Sequence, residues 1–391
     1  MNTTKKIIVF TKHFVPVYAG RDVIMYETYK RMIDFGWQTS IYTSKSTYKD
    51  KDVLSSFSIY NGINIFRHSE RSYAFPLWIR KINLSNAIIC IHGTHYYSDL
   101  YLYIYFLILK ITNKRKFKII FTSHGSYSYR YQFDTGFWGF VKRTIETMVS
   151  KLLLNNIVDG FCTVSQWEAE CMNKFGISKV TVIPNGLPNI AYSKSHTGIS
   201  SNIKKLLKNN PEYIVQIGRI ERLKNLDVVI RALPHVKNEK LKYFIIGEIK
   251  EQEYKKELDN LINKFHLSDR VFFLGTITGI IKYELLKKSK AYVQMSISEG
   301  FGITVVEAMS QGVVCLVSKG TALSQLVKDS ENGYTIDPKD SPLLADRIDF
   351  ILDPKNNKVV SNIQKNNLSK SLEYKWDNIV KDIDKFYLSM L

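Results

Sequence analysis

Short apolar runs recur along the chain and are separated by longer amphipathic stretches. In the first half these runs are KKIIVFT, QTSIYTS, AIICIHG, FKIIFTSHG and GFCTVS, with helical spacing between them near Val23 to Phe35 and from Gln166 to Phe175. Alternation of strand and helix predicts a parallel sheet. After VTVIPNG the pattern dissolves into NIAYSKSHTGISSNIKKLLKNNP, residues 189–211, which is poor in apolar clusters and reads as a connector carrying one short helix. The rhythm then restarts with YIVQIGR, KYFIIGE, RVFFLG, AYVQMS and VVCLVS, separated by helical patterns such as Leu226 to Leu233 and Tyr254 to Phe265. The expected organisation is therefore an α/β chain: a first Rossmann-like domain over 1–188, a linker over 189–211 and a second over 212–372. The tail, 373–391, places Trp376, Ile379, Val380, Ile383, Phe386 and Tyr387 on one helical face, which must dock on another element.

Composition narrows the function classes. Apolar residues make up 45% and charged residues 23% of the 391, which excludes a disordered or polytopic membrane chain. Four cysteines with no C-x-x-C pair point to a reducing compartment, and the N-terminal run IIVF is too short for an export signal, so a cytoplasmic location is expected. The most apolar run, Leu100 to Leu109, is also shorter than the roughly 20 residues that span a bilayer. The net charge of +19 predicts attraction to polyanions. Residues 1–187 hold 24 basic and 12 acidic side chains, +12 of the total, and Lys110, Lys114, Arg115, Lys116 and Lys118 follow the apolar run directly. That combination suits the anionic cytoplasmic face of a membrane, although a covered crossover helix followed by a solvated turn would share the pattern. A nucleic-acid partner is not expected: no aromatic-basic RNA motif or helix-turn-helix spacing accompanies the charge.

In open α/β sheets ligands bind beyond the carboxyl ends of the strands. After YIVQI comes GRIERLKN, where Gly218 permits a turn and Arg219 and Lys224 set two cations suited to a diphosphate. After RVFFL, Gly275 and Thr276 can edge a base. After AYVQM the chain reads SISEGFGITVVEAMSQG, with a helix starting near Gly302 or Ile303 and ending at Gly312. The amides of Phe301, Gly302 and Ile303, with Thr304 behind them, can meet a phosphate or sugar hydroxyl. Glu299 before the helix and Glu307 inside it can each accept hydroxyl hydrogen bonds, although two acids near a helix start also simply favour the macrodipole. In the first half, His124 stands at a strand end in SHG and Gly20 in the loop FVPVYAG.

Together GRIERLKN, V-F-F-L-G, EGFGITVVE, SHG, FVPVYAG, the segment VSQWEAECMNKFGISKVTVIPNG and the terminal YKWDNIV resemble the retaining glycosyltransferases of family 4 over nearly the whole chain. The resemblance implies a GT-B fold, two Rossmann-like domains facing a cleft, with the C-terminal helix crossing back to the first. It implies a nucleotide diphosphate sugar (GDP- or UDP-linked) as donor, with Arg219 and Lys224 on the pyrophosphate, Glu307 on the ribose, Glu299 at the transferred sugar and Gly20 close to the phosphates. His124 would contact the donor sugar, and neither a metal nor another cofactor would be needed. The acceptor would be lipid-linked or a glycan, in surface-polysaccharide or glycoprotein glycan assembly, or alternatively a soluble sugar or sugar phosphate. Three positions depart from the family pattern: Ala19-Gly20 in place of two glycines, Asn225 in place of a glycine, and Gly247-Glu248 in place of Gly-Asp-Gly.

Overall fold

The computed structural model describes residues 5–17, 20–47, 49–92, 97–125, 127, 136–193, 207–209 and 212–391. Ala19, in the first-loop departure, lies outside the described residues, as does most of the connector. The chain forms two compact units, Met1–Gly186 with Asp377–Leu391, and Leu187–Trp376.

In the first unit β1 (Lys6–Phe10), β2 (Gln38–Ser44), β3 (Phe57–Tyr60), β4 (Ile63–His68), β5 (Ala87–His92), β6 (Lys118–Thr122), β7 (Gly160–Thr163) and β8 (Val180–Val182) build one sheet in the order β3-β4-β2-β1-β5-β6-β7-β8. β1, β5, β6 and β7 are almost wholly buried, as central strands covered on both faces must be, which is why they read as unbroken apolar runs. Every pairing is parallel except β3 with β4, an antiparallel hairpin turned at Asn61-Gly62, both with positive φ. The hairpin escapes the sequence reading because its outer strand is nearly all exposed and lacks the apolar signature.

In the second unit β9 (Tyr213–Ile217), β10 (Lys242–Ile246), β11 (Val271–Phe273), β12 (Ala291–Gln294), β13 (Cys315–Ser318) and β14 (Gly333–Ile336) form an all-parallel sheet in the order β11-β10-β9-β12-β13-β14. β14, GYTI, is an addition to the strands legible in sequence; Gly333 is required there because a Cβ would stand 2.3 Å from the Cys315 carbonyl oxygen. Strand order reverses between β1 and β5 in one sheet and between β9 and β12 in the other. At such switch points the loops diverge to opposite faces and leave a crevice, so these four strand ends are where a ligand would be held.

The terminal helix Trp376–Leu388 carries its apolar face into the first unit: Ile379, Val380, Ile383, Phe386 and Tyr387 are all buried. Trp37 donates its indole N–H to Asp384 at 2.6 Å, and the backbone of Gly160 admits the ring of Phe386 to within 3.0 Å of where a Cβ would sit. Truncating such a ring leaves a void that the strand behind it cannot close. Phe386→Ala should therefore destabilise the first unit by about 3 kcal/mol, seen as a lower urea midpoint; a midpoint within error of the parent would show that the helix is not part of that unit's core.

Candidate active site

The loop after β9 is laid against its neighbours by backbone contacts. Gly218 N–H bonds the Ile246 carbonyl at 2.9 Å, and Gly247 N–H bonds the Gly275 carbonyl at 2.9 Å, so three loop glycines lie side by side across β9, β10 and β11. A Cβ on Gly247 would stand 1.9 Å from the Gly218 carbonyl oxygen, which leaves glycine alone at that position. A short 3-10 turn, Arg222–Lys224, then brings the Lys224 stem back over Gly218, 3.5 Å from where a Cβ would sit. Buried Gln216 holds this turn, donating to the Lys224 carbonyl at 3.0 Å and accepting from the Tyr243 hydroxyl at 2.6 Å. Asn225 is left-handed, φ +51°, and donates to the carbonyls of Met295 and Pro338. Asparagine tolerates that conformation better than other non-glycine residues, so the departure at 225 preserves the backbone path.

Lys224 and Glu299 meet as an ion pair at 2.7 Å, with side chains only 16% and 20% exposed. Glu299 also accepts from buried Gln294 Nε2 at 2.8 Å. The other end of that amide, Oε1, lies 2.7 Å from the Tyr292 hydroxyl and accepts from Thr304 at 2.8 Å. Thus β12 carries a polar ladder from the ion pair to the first turn of the helix Ile303–Ser310. At its start Gly302 is left-handed, φ +99°, and a Cβ there would stand 2.3 Å from Leu323 Cδ2. The amides of Ile303 and Thr304 have no carbonyl one turn back within the helix, which makes its N-terminus receptive to an anion.

Glu307, one turn further in, is 5% exposed; its Oε1 accepts from Lys282 at 2.5 Å and Tyr283 at 3.1 Å, while Oε2 is buried and has no hydrogen-bond partner among the described residues. A buried carboxylate oxygen left unbonded is costly, and a ligand hydroxyl would relieve it. The Tyr283 phenol is pushed up by burial and by Glu307 and stays a donor. Arg219, earlier on the same loop, is 58% exposed and pairs with Glu221 at 2.9 Å. Phe301 is buried against Tyr374, whereas Gly275 and Thr276 are exposed at the end of β11.

In the first unit the switch-point loops carry Gly20, the exposed first residue of the helix Gly20–Asp34, and His92, the last residue of β5. His124, after β6, has φ +50°, and its Nε2 lies 2.7 Å from His92 Nδ1. His92 Nε2 in turn hydrogen-bonds the Tyr29 hydroxyl, which stands 3.5 Å from the Tyr387 hydroxyl of the terminal helix. Burial, with the Arg21 charge behind it, pushes His124 down to about 3; burial, His124 and Arg21 hold His92 well below its ordinary value. Both rings are neutral at pH 7. If Tyr29 donates to His92, then His92 donates to His124 and the outer Nδ1 of His124 carries a hydrogen; the reverse order makes that Nδ1 an acceptor. Fully buried Glu168 braces the loop, accepting from the Thr163 hydroxyl and from the Tyr127 N–H at 3.3 Å; burial raises its pKa.

The geometry of the second unit thus joins Lys224 to Glu299 directly and, through Gln294, to Thr304 at the start of the helix that Gly302 and Ile303 open, with Glu307 deeper on that helix, Arg219 on the same loop as Lys224, and Gly275 and Thr276 on an adjoining loop. Gln216, Gln294, Tyr292, Lys282 and Tyr283 escape the sequence reading, as do His92, Tyr29 and Glu168. One signal is present for the glutamines: each interrupts an otherwise apolar central strand, YIVQI or AYVQ, at its carboxyl end, where a buried amide needs partners. Among the described residues no group of three or more His, Cys, Asp or Glu could hold a metal ion.

A family model described as Glycosyl transferases group 1 matches residues 199–369, and one described as Glycosyltransferase Family 4 matches residues 20–188. An uncharacterized glycosyltransferase of Methanocaldococcus jannaschii is 29% identical over 184 residues, 46% of each chain. A UDP-Gal:alpha-D-GlcNAc-diphosphoundecaprenol alpha-1,3-galactosyltransferase of Escherichia coli is 26% identical over 224 residues, 54% of this chain and 55% of that one. The aligned segments thus span about half the length of these curated relatives. Anabaena HepE in complex with UDP-glucose superposes with a TM-score of 0.74 at 18% identity, covering 99% of this chain and all of that one, which is a likeness of fold. The two family matches fall on the two α/β units in turn, and the chain belongs to the glycosyltransferases of the family 4 type with the GT-B fold.

Proposed function

We propose that the protein is a retaining, metal-independent hexosyltransferase that uses a nucleotide diphosphate sugar and a lipid-linked or glycan acceptor, at the cytoplasmic face of a membrane. The observation that carries this reading is the Lys224–Glu299 pair set beside the N-terminus of the helix Ile303–Ser310 at the β9/β12 switch point. Cation and amide dipoles at one strand end suit a leaving diphosphate, whose charge grows as the glycosidic bond breaks. Lys224, with Arg219 from the same loop, takes the diphosphate; Oε2 of Glu307 takes a ribose hydroxyl; Glu299 turns to the hydroxyls of the transferred sugar. In the transfer the acceptor oxygen bonds the anomeric carbon on the face that the diphosphate leaves. The bond from that carbon to the phosphate oxygen breaks with its electron pair, and the acceptor proton passes to a donor phosphate oxygen. His124, neutral, contributes a hydrogen bond at the sugar rather than a charge.

The donor and acceptor classes draw support from relatives. The fold neighbour from Anabaena was obtained with UDP-glucose, and the Escherichia coli relative is named for a UDP-linked galactose and a diphosphoundecaprenol acceptor. UDP is accordingly the first nucleotide to test, with GDP as the comparison.

If Glu307 binds the nucleotide and Glu299 serves transfer, Glu307→Ala should weaken binding of the preferred nucleoside diphosphate roughly tenfold or more, about 1.4 kcal/mol, by calorimetry. Glu299→Ala should keep that affinity within about threefold and lower kcat about a hundredfold. Equal loss of nucleotide affinity in both variants would contradict the division, and binding of neither UDP nor GDP would remove the donor reading.

The neutral histidines make a second prediction. Their folded pKa values lie below the unfolded value of about 6.5, so the unfolded chain binds more protons in acid. Their contribution is therefore present above pH 6.5 and is lost as pH falls from 6.5 toward 3. His124→Asn should remove about one proton from the pH dependence of unfolding between pH 6.5 and 4, and the parent kcat/KM should show no His124 limb between pH 5 and 8. An unchanged slope would mean that the imidazole is charged in the folded protein.

A further inference from the structure

One strand of the first sheet ends on a buried cation. β4 buries alternate residues, Ile63, Ile65 and Arg67, so the third side chain of an otherwise apolar face is a guanidinium, 5% exposed. Arg67 Nη1 donates to the Ser58 hydroxyl at 2.8 Å and to the Ser55 carbonyl at 3.4 Å, and Nη2 donates to the Val15 carbonyl at 2.7 Å. Nε is buried and has no hydrogen-bond partner among the described residues. Burial lowers the pKa of the group, and no acidic neighbour offsets the cost. The neutral acceptors fix where the side chain lies. They leave its charge uncompensated, and a buried charge stays costly until an opposite one meets it.

The guanidinium forms part of the wall of a hollow of about 250 Å³ between the loop after β1 and the β3–β4 hairpin, with Val15, Pro16, Ser58, Ile59 and Tyr60 around it. Ser58 Oγ accepts from Arg67 and so keeps its own hydrogen to donate. Ile59 and Tyr60 are exposed, so the hollow opens at the hairpin. A volume below about 300 Å³ is too small for a nucleotide and suits one sugar unit or its substituent. Arg67 is the penultimate residue of β4, which places the hollow at the carboxyl-end rim of the sheet. It stands three strand spacings, about 14 Å, from β5, whose last residue is His92. Arg67 escapes the sequence reading, whose strands stop at QTSIYTS and resume at AIICIHG.

We propose that Arg67 and Ser58 form an oxyanion site that holds a carboxylate or phosphate group carried by the sugar acceptor. A guanidinium receives either group through directed N–H···O bonds, and the serine hydroxyl adds a further donor. An extended polyanion such as nucleic acid meets exposed cations; a cation this deeply set receives only a small group that enters the hollow. The sugar bearing that group would then run along the rim toward the end where His92 and His124 meet. That the anion belongs to the acceptor rests on the transferase reading above; the anion site itself does not.

The test is calorimetric titration of the full chain with glucuronic acid and glucose 6-phosphate, which carry their anion on the same carbon, and with glucose and inorganic phosphate. UDP is held at saturation to fill the donor phosphate site, and its own affinity is measured separately. At least one anionic sugar should bind about tenfold or more tightly than glucose or inorganic phosphate, and the stronger of the two tells carboxylate from phosphate. Arg67→Gln should remove that preference. Because this change also loosens the hairpin, Ile59→Glu and Ile59→Lys, at a wall position 64% exposed, form a second pair. They should weaken and tighten the anionic sugar by roughly fivefold each, with glucose and UDP unmoved. Equal affinity for anionic sugar and glucose, a preference that survives Arg67→Gln, or equal affinities in the two Ile59 variants would each overturn the proposal. Inorganic phosphate bound as tightly as the anionic sugars would overturn the assignment to the acceptor. Loss of UDP binding with the anionic preference intact would remove the donor reading and uphold this site.

Discussion

The interaction on which the site depends is the half-buried ion pair between Lys224 and Glu299. Two charges withdrawn this far from water need further hydrogen bonds, and the sheet supplies them through amides rather than more charges. Gln294 bonds the carboxylate of Glu299, while Gln216 holds the backbone of Lys224. Both glutamines stand on the paired strands β9 and β12, so the pair is anchored to the centre of the sheet at the place where strand order reverses. In the proposed reaction an incoming phosphate would replace the carboxylate as the partner of the lysine and leave the carboxylate for a hydroxyl.

The first unit solves a different problem with neutral groups. Tyr29, His92 and His124 form a chain in which burial and Arg21 suppress protonation, so each contact is a single directed hydrogen bond instead of a charge repulsion. Tyr387 brings the terminal helix to the foot of that chain and also accepts from Cys90 at 3.3 Å. The helix therefore does more than cover an apolar face: it closes the environment that keeps the histidines uncharged.

Much of the architecture was legible in the residues. Alternating apolar runs specified two parallel α/β units, and the spacing of Trp376 to Tyr387 specified an amphipathic last helix, because burial of a stripe or a strand imposes its period on the chain. Local chemistry marked the loops as well: GRIERLKN and SEGFG combine glycines with charges at strand ends, and the left-handed φ of Gly302 and Asn225 shows why those residue types stand there.

What the linear order withheld is everything that depends on which strands become neighbours. β9 and β12 are separated by more than seventy residues, yet their pairing alone brings Lys224 to Glu299; likewise β5 beside β6 alone brings His92 to His124. Helical periodicity also cannot tell an apolar face that is covered from one left open: Leu102 and Ile104 are equally apolar, and only packing buries the first and exposes the second. Sequence determines the elements and their chemistry through short-range sterics and burial, whereas partner choice among polar groups is settled by long-range contacts that exist only once the sheet has formed.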